Sequence, residues 1–324
     1  MTKPDKTQAV FKRLLLGPQR PVINLGIAVK KAGIPAGPMA VISAGWQEAE
    51  GDMGEVHEQL QRPLHDLGIY QKAEQLTAAY PEFAAAYRER QENLKDLQRL
   101  YRLRCKQLMT AARLALKAIA SPAILEAEQH HAMGQVRELD EHHLRSMRAI
   151  HGQYDRTFDS LTGGEISAYT SSVSTRLDNC ESLLITGGNV MVLLNRLNLF
   201  GLSDLLNNKH LVAWSAGAMV LSDTLVLFHD KTPLGRRDPE VVSSGCGVIP
   251  GFVFLPDAKR RLREGDTVRT RLMCRRFAPA QCVTLDNGAG LLFEADKSKP
   301  NHLKIADQVK VMKRDGTLEA LRTE

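Results

Sequence analysis

The segment 211–217 constrains the fold of this chain more than any other. It joins an apolar run to Ser215, with small residues two positions before and two positions after the serine, at Ala213 and Gly217. A sharp strand-to-helix turn requires small residues there, because larger side chains would collide. Such a turn, the nucleophile elbow, exposes the serine hydroxyl and places the amide of Ala216 where it can bind an oxyanion. The alternative is an ordinary tight turn with an incidental serine.

A second motif lies upstream of the serine. Residues 183–185 are apolar and are followed by Thr186, the pair Gly187 and Gly188, and Asn189. Glycines at the carboxyl end of a strand let the backbone approach a ligand, and their amides can point at a negative oxygen. Because helical apolar spacing over 190–199 separates this strand from the serine strand, we expect two parallel neighbours. Their carboxyl ends would then form a site of the kind found in open α/β sheets.

These residues resemble a known family, the aspartyl dipeptidases and cyanophycinases. The segments that carry the resemblance are 185–189, 193–194 and 214–218, with weaker similarity at 17–20, 40–46, 245–251 and 283–292. Members of that family are serine peptidases with the class I glutamine-amidotransferase-like fold. The resemblance therefore implies an α/β protein with a flavodoxin-like, doubly wound and mostly parallel sheet. It covers roughly residues 15–60 and 180–315.

The resemblance also implies site residues. Ser215 corresponds to the nucleophile, and Asp230 falls at the acidic triad position of the dipeptidase branch. The oxyanion-binding and substrate-binding positions are Gly187, Gly188, Asn189, Ala216 and Asp257. A serine at position 215 argues against glutamine amidotransfer, which uses a thiolate in this fold.

The histidine position departs from the family pattern. Asp257 stands where the catalytic histidine is expected, and an aspartate with an ordinary pKa of ~3.9 is a poor acceptor for a serine proton at neutral pH. His229, next to Asp230, is the candidate substitute base. Adjacent strand residues face opposite sides, so both can face one site only if the strand ends there. His210 and His302 are interpreted as surface or structural residues.

Two functions remain open at this point. The first is a serine hydrolase that cleaves a small peptide or amide through an acyl-enzyme on Ser215. The second is a catalytically degenerate pseudo-enzyme that binds a ligand, or nothing, at Ser215 and acts in assembly through a helical arm. An imidazole within hydrogen-bond reach of the serine hydroxyl would distinguish them.

The middle of the chain predicts two long helices. Apolar residues recur at three- and four-residue steps from Pro81 to about residue 120, and Ser121-Pro122 indicates a stop and a restart. We therefore expect a long antiparallel helical hairpin inserted into the α/β domain. The resulting division is an N-terminal α/β part at 1–58, the insertion at 59–163, and a C-terminal α/β part with the elbow at 164–324.

The predicted hairpin has an apolar stripe along its length. A compact domain is expected to cover such a stripe only near its root, so residues 82–150 are predicted to form a homodimer contact. The first helix is also basic, which fits a nucleic-acid surface or a solvated helix face. We favour the solvated face because aromatic stacking residues are sparse, and expect no nucleic-acid partner.

Composition indicates a cytoplasmic protein without a cofactor. Five cysteines without CxxC spacing predict reduced thiols, and no apolar run approaches the ~20 residues of a membrane span. The start of the chain lacks a signal-peptide core.

Two histidine pairs, at 130–131 and 142–143, lie too far apart on one helix to bind one metal ion. Neither a P-loop nor a GxGxxG motif follows a strand.

Overall fold

The computed structural model describes residues 10–229, 238–295 and 301–323. The helices are α1 (Leu25–Ala32), α2 (Gly54–Leu60), α3 (Ile69–Ala79), α4 (Pro81–Lys117), α5 (Pro122–Leu161), α6 (Glu165–Asp178), α7 (Val190–Leu199), α8 (Ala216–Val220), α9 (Ala258–Arg261) and α10 (Thr267–Phe277). The strands are β1 (Phe11–Leu16), β2 (Met39–Ile42), β3 (Leu64–Asp66), β4 (Ser182–Ile185), β5 (His210–Trp214), β6 (Thr224–Leu227), β7 (Glu240–Ser244), β8 (Phe252–Pro256), β9 (Gln281–Leu285), β10 (Gly290–Ala295), β11 (His302–Asp307), β12 (Lys310–Met312) and β13 (Leu318–Ala320). Short 3-10 helices occupy Ala44–Ala49 and Leu202–Leu206.

The central sheet has seven strands in the order β11-β10-β1-β5-β4-β2-β3. The five strands from β1 to β3 in this order are parallel, and β10 and β11 extend the sheet with antiparallel pairing. This arrangement confirms the predicted α/β fold with a mostly parallel sheet. It also confirms that β4 and β5, the strands before the two glycines and the serine, are parallel neighbours. Smaller sheets form from β13-β12-β9-β8 and from β6-β7.

Helices cover both faces of the central sheet, as a doubly wound fold requires. In β1, Leu14 and Leu16 pack in a cluster with α1 and α2, whereas Leu15 packs in the larger cluster with α3, α6 and α7. Neighbouring residues of a strand face opposite sides, so both layers need apolar partners. This explains why the inner strands carry runs of consecutive apolar residues, as in Leu14–Leu16 of β1, Met39–Ile42 of β2 and Leu183–Ile185 of β4, instead of alternating with polar residues.

The sheet also includes one strand from the segment 59–163. β3 pairs in parallel with β2 through Met39 and Leu64, Ala40 and His65, and Val41 and Asp66. It is a three-residue edge strand whose residues are half-buried or exposed, so it shows no clear alternation in the sequence. The helical hairpin itself begins later than residue 59, at Pro81.

The hairpin consists of α4 and α5, with 37 and 40 residues. At 1.5 Å per residue, these helices are about 55 and 60 Å long. Arg90 binds Asp155, Tyr101 binds Asp140, and the Ala115 carbonyl accepts from Gln129, so the two helices run antiparallel. The predicted break at Ser121-Pro122 is confirmed, with Pro122 in the first turn of α5.

The expectation that most of the hairpin stripe lies uncovered is wrong. Buried residues continue along α4 as far as Ala112, and along α5 from Met133 to Phe158. Helix α5 packs against β7 and α10, and α4 also contacts both. The hairpin therefore lies along the α/β domain instead of projecting from it, because β7 and α10 extend the surface available to it.

A buried polar network fastens the hairpin to α10. The fully buried guanidinium of Arg276 donates to both carboxylate oxygens of Asp140 at 2.7 Å, to the Tyr101 hydroxyl at 2.6 Å and to the Pro239 carbonyl at 2.7 Å. The Tyr101 hydroxyl donates to Asp140 at 2.8 Å and accepts from the Val241 amide at 3.1 Å. A buried charge is tolerated only when it is paired and hydrogen-bonded, and this network meets that condition.

We predict that Asp140→Ala strongly destabilises the protein, because it leaves the Arg276 guanidinium buried without its carboxylate. The expected loss in free energy of unfolding is about 3–5 kcal/mol, measured by urea denaturation. The control Asp96→Ala breaks only the exposed pair with Arg99 and should cost less than about 1 kcal/mol. Combining Asp140→Leu with Arg276→Met should recover most of the stability. Equal stability of Asp140→Ala and the control would contradict this account.

Candidate active site

Ser215 forms the turn between β5 and α8. Its backbone has φ 51° and ψ −114°, a conformation that non-glycine residues rarely adopt and that costs on the order of 1–3 kcal/mol. A Cβ at Gly217 would lie 2.3 Å from the Ile185 carbonyl oxygen and 2.7 Å from that of Thr186. Only glycine therefore fits two positions after the serine. The turn has the strained backbone and the close approach that the elbow motif predicts.

Neighbouring backbone holds the serine turn in place. The Ser215 amide donates to the Leu16 carbonyl at the end of β1, at 3.0 Å, and the Ser215 carbonyl accepts from the Met219 amide at 3.1 Å. The turn is thus tied to β1 on one side and to its own helix on the other. Ser215 itself is partly exposed, so its side chain is not sealed in the core.

The Gly187 and Gly188 loop lies directly beside the serine. A Cβ at Gly187 would lie 2.9 Å from Nε1 of Trp214 and 3.3 Å from Cβ of Ser215. Gly188 has φ 109°, and a Cβ there would lie 2.3 Å from the Gly45 carbonyl oxygen. Neither position can take a side chain without displacing backbone or the serine turn. The loops after β2, β4 and β5 therefore interlock.

Backbone donors are available next to the serine. The amides of Gly187, Gly188 and Ala216 donate no hydrogen bond to any other residue that the structure describes. Two of them, at Gly188 and Ala216, are the donors that the sequence predicts for an oxyanion. Backbone amides without a partner are unusual, because such groups are normally satisfied within the fold.

Asn189 has a structural task at this edge of the sheet. Its Oδ1 accepts from the amides of Met191 and Val192, at 3.1 and 3.2 Å, and so caps the start of α7. Its Nδ2 lies 3.5 Å from Oε1 of Gln47. Gln47 has φ 59° and ψ −122°, a second strained residue at this edge that no sequence motif marks.

Asp257 follows the carboxyl end of β8. It is left-handed, with φ 60° and ψ 38°, and its amide donates to the Leu285 carbonyl at 3.0 Å. Its Oδ2 accepts from Nε of Arg260 at 2.6 Å and lies 3.5 Å from Nε of Arg261. The aspartate at the expected histidine position thus forms ion pairs with the first turn of α9.

Backbone contacts connect the ends of β1 and β9. A Cβ at Gly17 would lie 1.9 Å from the Asp286 carbonyl oxygen, and Gly17 directly follows the residue that accepts from the Ser215 amide. Asp286 follows Leu285, which accepts from the amide of Asp257. The serine and Asp257 therefore lie at the same edge of the structure, joined through two loops.

Asp286 is a buried carboxylate at this edge, and the sequence predicts no role for it in the site. It is only 6% exposed, and its Oδ1 accepts from the Lys259 amide at 2.8 Å. Burial raises the pKa of Asp286, while that hydrogen bond opposes the shift. Its contacts with the loops around Gly17 and Asp257 suit a carboxylate that positions these loops.

His229 follows β6, which ends at Leu227, so strand alternation no longer restricts its direction. Its ring stacks on Phe228, with centroids 6.2 Å apart. Asp230 lies outside the described residues, and the pairing of these two residues stays a prediction.

His210 and His302 lie away from the serine. His210 begins β5, at the opposite end from Ser215, and its Nδ1 accepts from the Lys12 amide at 3.1 Å. His302 begins β11 opposite Glu294, whereas the site edge of β10 is at Gly290, opposite Leu16. Both histidines thus lie toward the amino-terminal edge of the parallel strands.

A cavity of about 400 Å³ adjoins the glycine loop. Trp46, in its wall, has its Cδ1 3.1 Å from where a Cβ at Gly188 would be, and Trp214 in the same wall directly precedes Ser215. The polar residues of the wall are Gln19, Arg20, Asp52, Glu55 and Gln59. Arg20 and Glu55 form an ion pair. The cavity therefore combines two indole faces with a mixed polar rim.

The described part of the chain contains neither a group of candidate metal ligands nor a helix suited to cross a membrane. Among residues 10–229, 238–295 and 301–323, no three histidine, cysteine, aspartate or glutamate side chains are grouped as metal ligands. Over the same residues, no helix combines the length and apolar character needed to cross a membrane.

Comparisons with known proteins place the chain in a family. Two similar solved structures are a peptidase from an acI-B1 actinobacterium (13% identity, 97% of this chain and 95% of that chain, TM-score 0.46) and a putative peptidase E protein from Listeria monocytogenes (12%, 88% and 95%, TM-score 0.41). No curated protein matches the sequence. The model of peptidase family S51 matches residues 134–299, just over half of the chain. The chain therefore belongs to peptidase family S51.

Proposed function

We propose that this chain is a serine hydrolase that cleaves a small peptide or amide through an acyl-enzyme on Ser215. The observation that carries the proposal is the strained turn at Ser215 beside unpaired amides at Gly188 and Ala216. Strained backbone persists only where the surrounding structure enforces it, and it concentrates at functional sites. Membership of a peptidase family supports peptide bond cleavage as the reaction class.

The reaction proceeds in two steps. The Ser215 hydroxyl oxygen attacks the substrate carbonyl carbon while a base takes its proton, and the amides of Gly188 and Ala216 donate to the resulting oxyanion. The C–N bond then breaks, and the leaving amine takes the proton back from the base. Water repeats the sequence on the acyl-enzyme and releases the acid product.

The base is assigned to His229, with Asp230 orienting it. Support for His229 is its position just after β6, which begins shortly after α8 and contacts that helix. Asp257 is not assigned as the base, because its carboxylate is engaged with Arg260 and Arg261. The aspartate is assigned instead to the substrate-binding edge, together with Gly187 and Asn189.

The cavity beside the glycine loop is assigned to a substrate side chain. The rings of Trp46 and Trp214 contact each other, with centroids 6.4 Å apart at 42°, and both offer apolar surface to a side chain in the cavity. Arg20, Asp52 and Glu55 at the rim can bind the charged ends of a short peptide. A cavity of about 400 Å³ suits a small substrate better than a long chain.

We predict that a fluorophosphonate probe labels the protein at Ser215, because the oxygen of an activated serine displaces fluoride from the probe and forms a phosphonate ester. Ser215→Ala should abolish labelling, while Ser172→Ala, which changes an exposed serine on α6, should leave it unchanged. Intact-mass spectrometry and peptide mapping measure the adduct. A folded wild-type protein that is not labelled, and that hydrolyses no member of a dipeptide panel, would favour the pseudo-enzyme.

If His229 does not already act as an efficient base, we predict that Asp257→His raises hydrolytic activity by ~10²–10⁴-fold, the usual gain from a positioned base. Histidine tolerates the left-handed conformation of this position better than most residues, so the turn should persist. Initial rates on the best dipeptide of the panel measure the effect. If His229→Ala instead removes a robust wild-type activity, His229 already provides the base and the gain from Asp257→His should be small.

One observation favours the alternative, a catalytically degenerate protein. Asp257 is not merely substituted for a histidine but is held by two arginines of the following helix. In that case the site binds a peptide-like ligand, or none, and the helical hairpin acts in assembly. Ligand binding without turnover by the wild-type protein would support this alternative.

A homodimer through residues 82–150 remains a prediction. Because the apolar stripe of the hairpin is buried, the contact is now expected on the exposed face of α4. Leu100, Leu103 and Leu114 are 55%, 62% and 65% exposed and fall within about 60° of one another around α4. We predict a dimer in light scattering at tens of micromolar, and a monomer for Leu103→Asp, which places a charge in this face. The control Glu58→Gln, which changes an exposed side chain on α2 outside residues 82–150, should not change the mass. A monomeric wild-type protein would exclude the dimer.

The proposal also retains a cytoplasmic location. The five cysteines are unpaired, and four of them are buried, which suits a reducing compartment. No cofactor is part of the proposed reaction.

A further inference from the structure

A second cavity, of about 420 Å³, lies between the hairpin and the end of α10, and different elements line it from those around Ser215. One wall is a single face of α5, which includes Glu126, Met133 and Arg137 at spacings of seven and four residues. Arg275 and Pro279 contribute from the end of α10 and the residues after it, and Arg314 contributes from the turn between β12 and β13. We call this cavity the arginine cleft.

Positive charge is in excess in the arginine cleft. Three guanidinium groups line it, those of Arg137, Arg275 and Arg314, against one carboxylate, that of Glu126. Within the described part of the chain, none of the three forms a salt bridge. Such clustering of like charges is unfavourable unless another group compensates for it.

The three guanidiniums differ in what they contact. Arg137 donates to the Arg275 carbonyl and, at 3.2 Å, to the Arg276 carbonyl, so it caps the carboxyl end of α10. Arg275 donates only to the neutral amide oxygen of Gln129, at 3.1 Å. Arg314 donates no hydrogen bond to another described residue. Arg275 and Arg314 therefore keep most of their donors available.

The guanidinium of Arg275 is repelled by the positive charges near it. Burial lowers the pKa of Arg275, the positive charges of Arg271, outside the cleft, and of Arg314, within it, lower it further, and the negative charge of Glu126 opposes them. An arginine nevertheless stays charged at neutral pH, so it cannot relieve the repulsion by losing a proton. A bound anion would relieve it.

We propose that the arginine cleft binds a small, multivalent phosphate-containing anion, such as pyrophosphate or a phosphate ester. The planar guanidiniums of Arg275 and Arg314 can each bind phosphate oxygens through two parallel N–H groups. Met133 and Pro279 offer apolar contact for the organic part of an ester. The volume fits a compact ligand. Because the walls come from α5, α10 and the β12–β13 turn, the ligand ties the hairpin to the α/β domain.

Calorimetric titration of the full-length protein with inorganic pyrophosphate tests the proposal. Ionic strength is held constant with sodium chloride, because exposed charges respond to salt. We expect saturable binding with one site. Arg314→Gln and Arg275→Gln should each weaken binding by about tenfold or more, as loss of a charge-assisted hydrogen bond does. The control Arg99→Gln removes an exposed arginine outside the cleft and should not change the affinity.

A thermal scan provides the second readout. Pyrophosphate should raise the unfolding temperature of the wild type and of Arg99→Gln, and it should raise that of Arg314→Gln less. Arg314 is exposed and makes no described hydrogen bond, so this variant keeps its fold even if Arg275→Gln does not. Absence of binding at millimolar pyrophosphate, or equal affinity in the wild type and Arg314→Gln, would overturn the proposal.

Discussion

Close approach of backbone to backbone at the carboxyl ends of the parallel strands is the constraint on which the rest of the structure depends. A Cβ at Gly17, Gly188 or Gly217 would lie 1.9–2.3 Å from a carbonyl oxygen of a neighbouring loop or strand end. Such distances leave no room for any side chain. The loops after β1, β2, β4, β5 and β9 therefore interlock through glycines, and the serine turn lies at their centre. This packing keeps Ser215 in a strained conformation that an isolated turn would lose.

The helical hairpin is joined to this edge indirectly. The Tyr101 hydroxyl accepts from the Val241 amide, Arg102 binds Glu240, and Arg113 binds Asp238. All three partners lie in β7 or just before it, and β7 pairs with β6, the strand that leads to His229. The hairpin thus supports the strand pair that carries the candidate base. It is part of the structure that positions the proposed site, in addition to any role in assembly.

Local patterns in the sequence predict much of this structure, and long-range contacts explain what they miss. The elbow, the strand pair β4 and β5 and the break at Pro122 depend on neighbouring residues, and all three were predictable. Arg90 looks like part of a solvated basic face, yet it is fully buried against the Tyr87 and Phe158 rings and paired with Asp155. Asp155 and Phe158 lie on the other helix, Asp155 at a distance of 65 positions in the sequence. No pattern within one helix reveals such a contact.

The candidate site separates into two parts with different physical origins. The oxyanion part is made of backbone, because it requires glycines and a strained serine, and its geometry does not depend on which side chain stands at position 257. The proton-transfer part depends on side chains: the base is assigned to His229, and Asp257, where the family resemblance implies a histidine, is in ion pairs with α9. The left-handed backbone at Asp257 suits aspartate and histidine alike. The residue at position 257 can therefore differ without disturbing the interlocked loops. The fold does not depend on which group acts as the base.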